Sequence, residues 1–92
     1  MLLKRSEAVS GLLKAIAHPA RLKVLCCLID SEKTVMEITA FCGVSQSATS
    51  QFLGRLKKEG LLTSRKEHQF VYYSLADQRL VRLLRAIKEI YC

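Results

Sequence analysis

No apolar run in this sequence approaches the roughly 20 residues that a transmembrane helix needs, which excludes a membrane-spanning reading. Acidic residues are also scarce: 8 Asp and Glu stand against 15 Lys and Arg, a formal charge of +7. A compact domain that basic usually meets a polyanion, most often nucleic acid. One proline and four glycines leave no linker or low-complexity tract, and nothing repeats, so residues 1–92 read as a single domain. Paired carboxylates, a nucleophile beside a base and a phosphate-cradling loop are all missing, which argues against an enzyme. The four cysteines, Cys26, Cys27, Cys42 and Cys92, show no CxxC spacing, so a zinc ribbon has little support. Met1-Leu2-Leu3 is followed at once by Lys4 and Arg5, not the basic-then-apolar order of a secretion signal. The chain is therefore expected to stay in the cytoplasm, where a structural disulfide is not expected. Buried free thiols, a metal site assembled in space, or redox chemistry remain for the cysteines.

The apolar pattern supplies the elements. Leu2, Val9, Leu12, Leu13 and Ile16 recur at helical spacing over residues 2–16. Pro19 fits the first turn of a second helix over 21–29, with Leu22, Leu25, Cys26 and Ile29 inward. Residues 30–33 read as a polar loop. Thr34 with Glu37 three residues on has the form of a capping box, opening a short helix that turns Val35, Ile38 and Phe41 inward and stops at Gly43. Ser45 caps a further helix over 46–59 that ends at Gly60. Residues 61–65 and 69–75, rich in Val, Tyr, Phe and Thr, then read as two strands around a turn at Lys66-Glu67-His68. Asp77 caps a last helix reaching Cys92. The expected fold is mainly α with a β-hairpin wing, in the order α-α-α-α-β-β-α.

On the last helix, Leu80, Leu84, Ile87 and Tyr91 form one stripe, and Val81, Leu83 and Ile90 widen it beyond an ordinary core-facing face. A small domain does not cover so broad a face alone. A homodimer through the first and last helices is expected.

Residues 34–60 carry the most information. A short helix, the turn Gly43-Val44-Ser45 and a second helix make a helix-turn-helix, with Ala40, Val44, Ala48, Leu53 and Leu56 holding the two helices together. The other face of the second helix presents Gln46, Ser47, Thr49, Ser50, Gln51 and Arg55, with no charge from Gln46 to Gly54. A merely solvated face usually alternates Glu and Lys; short hydrogen-bonding side chains at a helix start suit a DNA major groove. Arg65, Lys66, His68 and Gln69 on the hairpin are expected near a minor groove or phosphates, and Lys57 and Lys58 on the backbone. Double-stranded DNA is the expected partner.

Ala17-His18-Pro19-Ala20-Arg21-Leu22, Val44-Ser45-Gln46-Ser47-Ala48-Thr49-Ser50-Gln51, Glu59-Gly60-Leu61 and Tyr72-Tyr73-Ser74-Leu75 together make residues 8–92 resemble dimeric repressors of the ArsR/SmtB type. That resemblance implies a winged helix-turn-helix homodimer on an inverted-repeat operator. Phe52 replaces a histidine common in such proteins. The metal-sensing members' Cys-x-Cys pair is missing at Thr34-Val35-Met36-Glu37, and Asp77 has no histidine following it on the last helix. Leu25-Cys26-Cys27-Leu28 and Ile90-Tyr91-Cys92 instead resemble the sulfide- or persulfide-responsive subgroup, which implies Cys26 and Cys92 as the sensing dithiol and a reactive sulfur or oxidant species as inducer. No cofactor is implied.

The chemistry is consistent with that resemblance. A thiolate that takes up a sulfane sulfur is open to attack by a second thiol. Lys23, one turn before Cys26 and Cys27, is expected to favour the thiolate, and a helix C-terminus to disfavour it at Cys92, so Cys26 is expected to react first. Cys42 and Cys27 read as small core residues, and His18 as a packing or capping residue. Two other readings stay open at this stage. One is a metal-sensing repressor using Cys26, Cys27 and Cys92. The other is a dimerisation or adaptor module whose basic face meets acidic protein.

Overall fold

The computed structural model describes residues 5–92, so the expectation placed on Leu2 lies outside the described residues. The order is α1 (Ser6–Ile16), α2 (Pro19–Cys26), β1 (Lys33–Thr34), α3 (Val35–Cys42), α4 (Gln46–Lys58), β2 (Leu62–Glu67), β3 (Phe70–Leu75) and α5 (Gln78–Tyr91). No helix among the described residues is long and apolar enough to cross a membrane.

The local signals act where the sequence places them. Pro19 opens α2, where a missing N–H has no helical partner. Thr34 and Glu37 cap α3 reciprocally, each side chain taking the other's backbone N–H. The Ser45 hydroxyl accepts from Ala48 N–H at 3.1 Å, and Asp77 accepts from Leu80 N–H at 3.0 Å. The end of α4 is fixed by Gly60 at φ 83°: Gly60 N–H donates to Lys57 and Leu61 N–H reaches back to Leu56. That turn sends the chain into the wing.

Val24, Leu25, Ile38, Leu53, Leu56 and Leu84 are fully enclosed, joining α2, α3, α4 and α5 around one core. Each such side chain removed from water stabilises the fold by about 1.5–3 kcal/mol relative to exposure. Arg21 on α2 ties the edges, donating to the Ala15 carbonyl at 3.1 Å and pairing with Glu59 at 3.5 Å.

Several sequence expectations need correction: α2 ends at Cys26 rather than at 29, and Lys66 and Glu67 belong to β2, paired with Val71 and Phe70, rather than to the turn. Residues 30–33 are not all loop, because Lys33 and Thr34 pair with Tyr73 and Tyr72 to make a third strand, giving the antiparallel order β1-β3-β2. Phe41 does not point inward: it is 70 % exposed, under the Lys33 ammonium at 5.6 Å from its ring centre. Ile38 alone carries the fully buried side of α3, and Ala40 is exposed rather than packed between the helices. On α5, Leu80 and Leu84 fill the core while Ile90 and Tyr91 remain 73 % and 82 % exposed. Leu13 on α1 is likewise exposed. The broad apolar face is therefore uncovered in the single chain.

Candidate DNA-reading surface and thiol pocket

On α4, Gln46, Ser47, Ser50, Gln51, Arg55, Lys57 and Lys58 are all exposed. This first stretch is uncharged and hydrogen-bonding, and basic residues follow it, an order suited to base edges near the helix start and phosphates beyond. Thr49 does not belong to this face. It is fully buried, and its hydroxyl donates to the Ser45 carbonyl at 2.8 Å, satisfying the group within its own helix. The sequence placed it outward because Thr is polar, but its turn of the helix faces the core. Phe52 is half-buried against that core, with its ring 5.6 Å from that of His18, so packing accounts for both residues.

The wing carries Arg65, Lys66, His68 and Gln69, all exposed. His68 takes a left-handed φ of 57° at the tip, which turns β2 into β3. Arg65 is not a free cation. It pairs with Glu32 and with Glu67 at 2.9 Å and lies 4.7 Å from the Tyr72 ring centre. Those two carboxylates raise its pKa further, and the Arg65 guanidinium in turn holds the Glu32 carboxyl below its ordinary range. Lys57 also has a partner, the Ser64 hydroxyl at 2.7 Å, which links α4 to the wing. The missed residue is Glu32. Its only sequence signal was an acidic side chain in a loop, and nothing in the sequence tied it to a wing arginine.

Cys26, Cys27, Cys42 and Cys92 all line one cavity of about 490 Å³ between α2, α3 and α5, with Leu22, Phe41, Ile87, Lys23 and Lys88 completing it. Cys26 is half-buried, Cys27 buried and Cys92 exposed, and all four are free thiols. Burial pushes the Cys26 thiol up, the nearby Cys92 adds to this, and the Lys88 ammonium opposes it. The expectation that Lys23 would favour the Cys26 thiolate fails for that reason: desolvation outweighs the cations, and the acting one is Lys88. Burial, followed by Cys42, pushes Cys27 up to about 12. Among the described residues no three His, Cys, Asp or Glu side chains converge to hold a metal ion. The ligand set of Cys26, Cys27 and Cys92 is thus not assembled, although the cysteines share a pocket.

Comparison with known proteins agrees with this geometry. The model of the bacterial regulatory protein arsR family matches residues 18–64, from the start of α2 to the middle of β2. The transcriptional regulator YgaV of Escherichia coli K12 is 40 % identical, with 95 % of this chain and 89 % of that protein covered. The transcriptional activator HlyU of Vibrio cholerae is 39 % identical, over 97 % of this chain and 82 % of that one. The crystal structure of the transcriptional repressor BigR from Xylella fastidiosa superposes with a TM-score of 0.92 at 33 % identity, covering 99 % of this chain and 93 % of that chain. Regulators of this family bind DNA and are homodimeric. The winged helix-turn-helix, the exposed face of α4 and these relatives agree: this chain belongs to the arsR family of bacterial regulatory proteins and is a DNA-binding transcriptional regulator, not an enzyme.

Proposed function

We propose that this chain is a homodimeric repressor that holds an inverted-repeat operator while Cys26 and Cys92 are reduced and releases it when they become linked. Gln46, Ser47, Ser50, Gln51 and Arg55 read the major groove, and Lys57, Lys66 and His68 contact the backbone or the neighbouring minor groove. The uncovered apolar surface of α1 and α5 is the dimer face.

The observation that carries the switch is the shared cavity: Cys26 on α2 and Cys92 at the end of α5, far apart in sequence, line one pocket. Access favours Cys92 for the first step, because it is exposed and the Cys26 thiol is pushed up by burial. The Cys92 thiolate attacks the outer sulfur of a low-molecular-weight persulfide, RS–SH, giving Cys92–S–SH and expelling RS⁻, which is protonated to RSH. The Cys26 thiol then attacks the Cys92 sulfur, forming the Cys26–Cys92 disulfide and releasing hydrogen sulfide. The link draws α2 and α5 together, and because α5 belongs to the dimer face, the spacing of the two reading helices changes.

Fluorescence anisotropy on the DNA upstream of the chain's own gene tests this reading. The reduced protein should bind, glutathione persulfide should lower affinity by tenfold or more (a change of about 1.4 kcal/mol), and dithiothreitol should restore it. Cys26→Ser should still bind, fail to respond and accumulate a persulfide on Cys92. Equal binding before and after treatment would leave the DNA reader standing and remove the switch.

A further inference from the structure

Cys27 and Cys42 take no part in the switch described above, yet the fold brings them together. Cys27 caps the end of α2 and is 5 % exposed; its thiol donates to the Val24 carbonyl, 3.0 Å away. Cys42 ends α3, half-buried, immediately before the Gly43 turn. Both side chains line the solvent-open cavity between α2, α3 and α5, and Cys42 is among the groups that push the Cys27 thiol up. A buried structural cysteine ordinarily sits among aliphatic groups as a small hydrophobe. Here two thiols, at the ends of two different helices, face one cavity that opens to solvent.

We propose that Cys27 and Cys42 form a second dithiol, separate from Cys26 and Cys92, which a small disulfide oxidant closes to staple α2 to α3. Cys42, the more accessible, attacks one sulfur of the reagent as the thiolate. A mixed disulfide forms on Cys42, and one reagent thiolate leaves and takes up the proton Cys42 gave to solvent. Cys27 then attacks the Cys42 sulfur, the Cys27–Cys42 bond forms, and the second reagent thiol leaves with the proton of Cys27. Two protein thiols are oxidised and one reagent disulfide is reduced to two thiols. With the Cys27 thiol held at about 12, the closing step is slow at neutral pH. The pair therefore responds to sustained oxidation rather than to a brief signal. Because Cys27 directly follows α2, Cys42 ends α3 and both line one cavity, closure ties neighbouring helix ends, and α3 continues through Gly43 and Ser45 into α4. The staple stiffens the reading unit in place and does not release DNA.

The test uses the full chain carrying Cys26→Ser and Cys92→Ser, treated with hydroxyethyl disulfide and followed by intact mass and peptide mapping. The expected product is lighter by two hydrogens, contains a crosslinked peptide joining Cys27 to Cys42, and reverts with dithiothreitol. Its melting temperature should rise by on the order of 10 °C, as expected for closing a short loop in a small domain. Its affinity for the upstream DNA should stay within about twofold of the reduced form, below the 1.4 kcal/mol of a tenfold change. A persistent mercaptoethanol adduct, disulfide-linked protomers or unreacted thiols would overturn the pair, and loss of DNA binding on closure would overturn the in-place staple. In the otherwise unsubstituted chain, Cys42→Ser should remove the Cys27–Cys42 peptide and spare the Cys26–Cys92 one. Failure of this pair is thereby told apart from failure of the persulfide switch.

Discussion

Arg65 on the wing and Glu32 in the loop before β1 grip each other through the guanidinium fork, with Arg65 Nε donating to the two carboxylate oxygens at 3.0 and 2.9 Å. Glu67 takes a second edge of the same guanidinium, and the Tyr72 ring lies against it. Arg65 and Glu67 are exposed and Glu32 is partly so, and an ion pair open to water contributes little to the stability of the fold. Its effect is on charge and position. An arginine on a strand that runs to the wing tip is aimed in advance, with its charge compensated inside the protein.

Glu32→Gln leaves Arg65 with less compensation. Affinity for any duplex should rise several-fold at low salt, and the slope of log K against log salt should steepen by about one unit, the mark of one further phosphate contact. Lys66→Ala should move both quantities the other way. A slope unchanged in Glu32→Gln would mean that Arg65 meets no phosphate even with that partner removed.

Burial divides the uncharged stretch of α4 into two groups with different consequences. Gln46→Ala and Gln51→Ala should each reduce discrimination between the operator and an unrelated duplex by about 1–3 kcal/mol, the range for a bidentate base contact. Thr49→Val removes a buried hydroxyl whose partner is the Ser45 carbonyl, so it should cost about 1 kcal/mol of stability and leave discrimination unchanged. Competition binding paired with urea denaturation separates the two effects. Lost discrimination in Thr49→Val at unchanged stability would return that residue to the interface.

The contrast between Thr49 and Thr34 shows what the sequence made legible. Thr34 was readable because a capping box depends on two residues at a fixed short spacing, and the helix starts there whatever surrounds it. The same holds for Ser45, Asp77, Gly60 and the two long strands. Thr49 was misread because the direction of one turn of α4 is set by Ile38, Leu53 and Leu56, contributed by two helices at an angle that the sequence does not print. β1 was missed because two residues carry no period of their own and become a strand only when Tyr72 and Tyr73 arrive beside them. The thiol site was partly legible. Cys26 and Cys92 were paired through the family resemblance, whereas the gathering of Cys27 and Cys42 into the same cavity and the action of Lys88 depend on how three helices pack.

Acid should weaken the fold through its caps. Backbone and side-chain groups of Thr34 hold the Glu37 carboxyl below its ordinary range, and Leu80 N–H does the same for Asp77. The unfolded chain then takes up these protons at higher pH than the folded one. The stabilisation is therefore present above the ordinary carboxylate range and is lost as pH falls through it towards the depressed folded values. Urea midpoints should stay level from neutrality to about pH 5 and decline below it. Thr34→Ala and Asp77→Ala should each begin lower and decline less steeply. A parallel decline in those variants would place the acid sensitivity elsewhere.

Two positions on α5 should fail in different ways. Leu84 is fully buried in the core, so Leu84→Ala should cost about 2–5 kcal/mol and lower the urea midpoint at every protein concentration. Ile90, 73 % exposed in the single chain, makes no comparable contact within it. Ile90→Glu together with Leu13→Glu places like charges on the α1 and α5 face and leaves the core intact. Sedimentation should then find monomers that keep the native helical signal. Such monomers should bind a single half-site weakly and lose the steep dependence on an inverted repeat, because each half of the operator is met by a separate protein. Dimers persisting in this variant would move the interface off α1 and α5, and with it the route by which linking Cys26 to Cys92 alters the spacing of the reading helices.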